Sequence, residues 1–348
     1  MRVTPYESLK TTTITSVVKI NGDVDPAVAF QLIPITRVEI KQKRNATKCK
    51  LPHLKDQVGA VLSARYRKHT RGVVKNKKNP FKNSVTIDMC LKDKNVGLKL
   101  SKNTIHICGC KKKEHSEETT NLIFGHLKSI QAMLDGLHKT ETSLCQTMDF
   151  VKQFTKGNNT QRVSSRTILG RNATVEVFTR TPEQEINKDI PCSIPEGMDK
   201  DVVLFLLSFR DEFLYHSDYC TKLHYISKIR HVYKEDLGMV NYSEAMVNYN
   251  YSLGYKINRQ SLEECISRKN GFYSRHNNEL SNSVTIELPY IPSDDYIKKK
   301  KNRVPHHSFL VYKSGSVTQS GPNTKEMENV YYLFMKTIQE IKDAIKQS

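Results

Sequence analysis

Apolar and polar residues alternate through N-S-V-T-I-D-M (Asn83 to Met89), and the same pattern returns 199 residues later as N-S-V-T-I-E-L (Asn282 to Leu288). In the first, Val85, Ile87 and Met89 alternate with Ser84, Thr86 and Asp88; in the second, Val284, Ile286 and Leu288 alternate with Ser283, Thr285 and Glu287. A period of two with β-branched residues predicts a half-buried strand at each place. The segments downstream of the two strands are also alike. After the first come V-G-L-K-L (Val96 to Leu100), a turn S-K-N and T-I-H-I-C-G (Thr104 to Gly109). After the second comes a longer polar break, then F-L-V-Y (Phe309 to Tyr312), a turn K-S-G and S-V-T-Q-S-G (Ser316 to Gly321).

The period then changes to that of a helix. Leu122, Ile123, Leu127, Ile130 and Leu134 predict one helix, with Ser116 as a candidate N-cap. Met327, Val330, Phe334, Ile338, Ile341 and Ile345 form an amphipathic stripe for another. Ahead of each strand set lies a further strand-then-helix pattern. T-I-T-S-V-V-K-I leads into D-V-D-P-A-V-A-F-Q-L-I, and M-V-N-Y-N-Y-S-L-G-Y-K-I leads into N-R-Q-S-L-E-E-C-I. Strand, helix, three strands, helix, twice over, predicts an α+β fold with helices on one face of an antiparallel sheet. The expected organisation is a first repeat over 1–140, a central and partly helical insertion over 141–243, and a second repeat over 244–348. Within the insertion, Val202, Val203, Leu206, Phe209 and Phe213 predict a helix over 201–215, and T-K-L-H-Y-I-S-K-I-R-H-V-Y predicts a second.

Charge refines this picture. The 348 residues carry 55 Lys+Arg and 36 Asp+Glu, a formal net charge of +19. Residues 1–140 hold +16, 141–240 hold −1 and 241–348 hold +4; the stretch 41–80 alone holds +12. That stretch reads as a solvated insertion, and also as a basic arm whose cations release counterions on meeting phosphates; Arg67 and Lys68 lie in it. The excess of cations points to an anionic partner, nucleic acid first and a membrane surface second. The longest apolar run, Val202 to Leu207, falls far short of the roughly 20 residues that span a bilayer. The N-terminus has no apolar core of a secretory signal, and eight dispersed cysteines read as reduced thiols of an intracellular protein. No nucleophile elbow, phosphate-binding glycine loop, H-E-x-x-H or paired C-x-x-C occurs, so the chain does not read as an enzyme and no cofactor is expected. His106, Cys108 and Cys110 share one strand face, but without a second pair they read as sheet residues rather than a zinc site.

V-G-L-K-L-S-K-N-T-I-H-I-C-G-C-K resembles the strand-turn-strand of the TATA-box-binding protein (TBP) family, and F-L-V-Y-K-S-G-S-V-T-Q-S-G resembles its second-repeat partner. The likeness covers residues ~11–40, 83–135 and 244–346. The insertions and the Lys/Asn-rich style are similar to divergent forms from large DNA viruses. The resemblance implies a two-repeat saddle with large insertions, a concave sheet on the DNA minor groove, and side-chain wedges that kink base steps. It implies a transcription initiation factor that binds double-stranded DNA and works with general transcription factors or RNA polymerase subunits. The implied place is the nucleus or a cytoplasmic viral replication site, or the virion as a packaged protein.

Carried over residue by residue, the resemblance puts Tyr312 at a wedge position and Leu100 at its first-repeat equivalent. Ser320 and Cys108 fall where the family has groove-facing Thr. The second wedge pair would lie near Asn83 and Asn282, where neither residue is aromatic, although Phe81 is two residues away. The base-reading Asn is represented by Thr13 and Met246, with Asn248 and Asn250 nearby. Lys298, Lys299, Lys300 and Arg303 sit in the loop that would form a stirrup beside the DNA; Lys102 and Lys111 are further candidate phosphate contacts. Against this stand Asp88 and Glu287, whose alternation puts both carboxylates on the concave side, where they would repel phosphate. They favour a rival reading, a protein-interaction scaffold that has lost DNA bending.

Overall fold

Thr11 to Val24 form a 14-residue strand, β1, in which Ile14, Ser16, Val18, Ile20, Gly22 and Val24 are buried at every second position. The structure, a computed structural model, describes residues 4–36, 38, 51–73, 81–153, 194–209, 216–269, 271–275, 282–289, 306–322 and 326–347. After β1 come α1 (Pro26–Leu32), β2 (Val61–Tyr66), β3 (His69–Gly72), β4 (Val85–Cys90), β5 (Asn95–Leu100), β6 (Thr104–Cys110) and α2 (Lys113–Leu137). Next are α3 (Glu141–Gln153), α4 (Lys200–Ser208) and α5 (His216–Lys228). The remainder comprises β7 (Tyr233–Ser252), α6 (Arg259–Ser267), β8 (Tyr273–Arg275), β9 (Ser283–Pro289), β10 (His306–Tyr312), β11 (Ser316–Gly321), α7 (Glu326–Glu340) and α8 (Lys342–Ile345). The architecture is α+β, with antiparallel sheet and helices as the sequence pattern predicts.

The chain divides into two compact units, one of residues 1–18, 106–117 and 242–348, the other of 19–105 and 118–241. In the first unit the hydrogen-bonded order is β7-β11-β10-β9-β8. Val284, Ile286 and Leu288 of β9, Phe309 and Val311 of β10 and Val317 of β11 point to one side. There they meet Leu262 and Ile266 of α6 and Val330, Tyr331, Phe334, Met335 and Ile338 of α7. Phe309 and Phe334 stack with ring centroids 4.0 Å apart and planes 8° from parallel. Asn258 caps α6, its side chain accepting from the Gln260 and Ser261 N–H groups, which satisfies two of the donors a helix start leaves unpaired. Beneath β10, the fully buried His307 has its Nδ1 3.2 Å from Met327 Sδ, and burial holds its imidazole below the usual histidine range. A Cβ at Gly321 would stand 2.1 Å from that ring, so the small residue there serves packing.

In the second unit the order is β3-β2-β4-β5-β6. Val85, Ile87 and Met89 of β4 lie opposite Leu100, Leu98 and Val96 of β5, all buried, on one side of the sheet. Asp25 caps α1 through the Ala27 and Val28 N–H groups, with Pro26 at the first helical position, where its missing N–H costs nothing. The stretch 61–72, expected to be part of a solvated insertion, is instead the hairpin β2–β3, paired to β4 with Val61, Leu62 and Ala64 buried. Apolar residues inside the basic run supply the burial; residues 41–50 and 74–80 lie outside those described.

The central segment packs into this same unit. Lys222 of α5, buried, donates from Nζ to the backbone carbonyl and Oε1 of Gln31 on α1, both at 2.6 Å. Its ammonium also lies 4.9 Å from the centroid of the Phe209 ring, and the Arg71 guanidinium of β3 lies 5.6 Å from the same centroid. These cation–aromatic contacts join α5 and β3 through Phe209 at the end of α4. The predicted helix over 201–215 is observed as α4, and Phe213 lies outside the described residues. Ser116 is not an N-cap: α2 begins at Lys113, and the buried Ser116 hydroxyl instead meets Ser16 Oγ at 2.7 Å and donates to Cys110 Sγ. No helix among the described residues is long and apolar enough to cross a membrane.

Candidate nucleic-acid interface

Strand alternation leaves each sheet a second face, on the side away from its buried apolar row. In the first unit, strand register brings together Asn248 and Asn250 of β7, Thr318 and Ser320 of β11, and Ser308, Leu310 and Tyr312 of β10. Thr285 and Glu287 of β9 and Tyr273 and Arg275 of β8 continue the row. Ser320 lies opposite Ser308 on one side and Asn248 on the other. Leu310 and Tyr312 are half-buried and Tyr273 is 65% exposed. The face is thus mostly neutral amide and hydroxyl, crossed by apolar and aromatic side chains.

In the second unit the corresponding row is Ser63 and Arg65 of β2, Thr86 and Asp88 of β4, and Gly97 and Lys99 of β5. Phe81 is 58% exposed, with Lys99 Nζ 3.8 Å from its ring centroid.

Neither carboxylate of these faces stands alone. Asp88 Oδ2 accepts from Ser63 Oγ at 2.7 Å and from Arg65 Nη2 at 3.4 Å. Glu287 Oε1 accepts from Arg275 Nη2 at 2.8 Å and lies 3.7 Å from His306 Nε2. The two arrangements share a register. Arg65 lies opposite Thr86, two residues before Asp88; Arg275 lies opposite Thr285, two residues before Glu287. Each acid is therefore neutralised by a diagonal arginine on the next strand, a partner that reading one strand at a time could not reveal.

Tyr312 lies on the face opposite the apolar row, beside Ser283. Leu100 does not. It has no exposed surface and lies opposite Val85 on the apolar side, so it is a core residue and cannot enter a groove. The register explains the correction. Val85 pairs with Leu100 and Val284 with Val311, so Leu100 corresponds to Val311, and Lys99 to Leu310. The turns differ by one residue. Ser101 bonds Thr104 across Lys102 and Asn103, whereas Val311 pairs with Val317, which leaves Lys313, Ser314 and Gly315 as a three-residue loop between Tyr312 and Ser316. Gly315 has φ +82°, and a Cβ there would stand 2.0 Å from the Tyr255 carbonyl oxygen. The S-G of the motif is thus a turn requirement.

Cys108 is half-buried, as is Gly109 after it, on the strand side away from the buried Ile105 and Ile107. Lys102 is exposed at the β5–β6 turn, paired with Asp23 at 2.7 Å; both line a cavity of about 480 Å³ with Asp25, Tyr66, His231 and Tyr233. Lys111 is exposed just after β6, its backbone N–H donating to His115 Nδ1. Arg67 and Lys68 form the exposed β2–β3 turn, Arg67 with φ 52° and its guanidinium 5.3 Å from the Tyr66 ring centroid. Lys298, Lys299, Lys300 and Arg303 lie outside the described residues. Sequence reasoning missed Leu310, Arg275, Tyr273 and Arg65, although the alternation of F-L-V-Y itself marks Leu310 and Tyr312 as sharing a face. Among the described residues no group of three or more His, Cys, Asp or Glu is placed to hold a metal ion.

No family model matches the chain, and no curated protein sequence matches it significantly. Among solved structures it is similar to the TBP of Methanococcus jannaschii, with 10% identity and a TM-score of 0.36, over 95% of this chain and 98% of that one.

Proposed function

We propose that this chain is a TBP-like factor that binds duplex DNA in transcription initiation, built from two copies of one repeat. The observation that carries the reading is that two series of elements are wired alike. β1-α1-β2-β4-β5-β6-α2, with β3 as an addition, has its strands in the order β2-β4-β5-β6-β1; β7-α6-β8-β9-β10-β11-α7 has the order β8-β9-β10-β11-β7. The second series presents a face of mostly small neutral polar residues, and in the first the charges on that face include the Arg65–Asp88 pair. Asn248, Asn250, Thr318 and Ser320 offer donors of the kind that suit the minor groove, where both A·T orientations show only acceptors. Leu310 and Tyr312, adjacent positions on one strand face, supply the apolar bulk that a wedge needs. On this reading the repeats span 1–140 and 244–348, with 141–243 inserted.

Backbone affinity comes from exposed cations at the turns, Arg67, Lys68, Lys102 and Lys111, and from the lysines at 298–300 with Arg303. The implied partners are general transcription factors or polymerase subunits, in a nucleus or a cytoplasmic viral replication site, and the Lys/Asn-rich insertions fit a divergent viral form. No catalytic activity is part of the proposal. The scaffold alternative draws on Asp88 and Glu287, but their arginine partners remove most of the negative field on which it depends. Filter binding of a duplex over a salt series tests the proposal: a protein that fails to bind at low salt is not a DNA-binding factor.

A further inference from the structure

The two arginine–carboxylate pairs share a register but differ in accessibility. The Arg65 and Asp88 side chains are 17% and 9% exposed, and Ser63 Oγ donates to the same carboxylate oxygen as Arg65. Breaking that pair would strand a charge in a poorly solvated place, so it is locked. The Arg275 side chain is 77% exposed and that of Glu287 25%. Exposed ion pairs are weak, and a guanidinium holds a phosphate through two parallel hydrogen bonds where here it gives Glu287 one short contact. Tyr273, exposed, lies opposite Glu287 on the same face, and His306 is the other basic group facing that carboxylate. An anion reaching this edge would therefore meet Arg275 first.

We infer that Arg275 and Glu287 form an exchangeable pair, in which a backbone phosphate of the bound duplex takes Arg275 from Glu287, while Arg65 and Asp88 form a counterpart that stays closed. The inference rests on the proposed DNA binding and adds its regulation: Glu287 lowers affinity for phosphate in general, so that a duplex must also satisfy the neighbouring neutral face to be held. No covalent step is involved; one hydrogen-bonded ion pair replaces another.

Glu287→Gln tests this, because glutamine keeps the shape and an acceptor for Arg275 while losing the charge. Binding of one duplex is measured by anisotropy over 50–200 mM salt. Releasing one more counterion steepens the slope of log K against log salt by about 0.9, which amounts to about 15-fold tighter binding at 50 mM and about 4-fold at 200 mM as an upper bound. Arg275→Gln in the Glu287→Gln background abolishes the gain. Asp88→Asn leaves the slope as it was and lowers the melting temperature. If wild type binds the duplex and Glu287→Gln changes neither slope nor affinity, the exchange is refuted while DNA binding stands. If wild type does not bind, the functional reading itself fails and takes the exchange with it.

Discussion

Leu100 and Tyr312 precede equivalent-looking turns, yet the strand register separates their roles, and alanine at each position tests that separation. Leu100 is fully buried opposite Val85, within a row that includes Ile87, Leu98, Met89 and Val96. Leu100→Ala removes three carbons from this packed layer, and large-to-small changes at such sites cost about 2–5 kcal/mol through lost burial and the cavity left behind. In a unit of roughly 200 residues, at about 2–4 °C per kcal/mol, the melting temperature falls by about 5–15 °C. Duplex affinity below the transition stays within about 2-fold, since the side chain never reaches the surface. Tyr312→Ala has the opposite profile. Its ring is half-buried on the other face beside Ser283, so stability changes by about 1 kcal/mol or less. Losing an aromatic contact to a base costs about 1–3 kcal/mol, a weakening of about 5- to 150-fold. Thermal melts and anisotropy titrations on both variants read the two axes. If Leu100→Ala melts like wild type and loses DNA binding, the register argument is wrong.

Acid should destabilise the first unit. Burial lowers the His307 pKa below its ordinary 6.5, so the unfolded chain binds more protons once pH drops through that value. The expected result is a melting temperature that is flat above pH 7 and falls from pH 6.5 to 5.5, with a smaller fall in His307→Leu; equal slopes in both proteins would remove His307 from the account. Gly315→Ala should cost several kcal/mol, because the left-handed φ and the clash with the Tyr255 carbonyl act together, and it should lower both the urea midpoint and DNA affinity. A wild-type urea midpoint would show that the loop relaxes without loss.

The parts of the fold that were legible in the sequence are those where one face is buried and the other is not. V-T-I-D-M and V-T-I-E-L alternate because one side meets helices, and the Met327–Ile345 stripe is visible because α7 and α8 present one apolar side to the core. The hairpin β2–β3 was hidden because arginines dominate R-Y-R-K-H-T-R; Arg71 packs its guanidinium on aromatic rings and Arg65 pairs with Asp88, so both residues are structural although charged. β8 has only three residues, too few for a period. At the candidate interface, alternation alone put Glu287 on the face away from the helices, whereas Tyr312 and Ser320 were marked by the family resemblance. Leu100 was misplaced because one extra loop residue in the second hairpin shifts the match at the turn, and only cross-strand pairing reveals the shift. The arginine partners of Asp88 and Glu287 come from strands 23 and 12 residues away in sequence, a distance no local pattern spans.

The central claim is that this chain holds duplex DNA through exposed cations and a neutral polar face. Its most direct test is the affinity of the full-length protein for a duplex as salt rises from 50 to 200 mM. If Arg67, Lys68, Lys102 and Lys111 each meet a phosphate, four contacts give a slope near −3.6 and about a 150-fold loss of affinity across that range. Saturable binding at 50 mM that weakens in this way is the expected result; a salt-independent affinity, or no binding at 50 mM, would contradict the account.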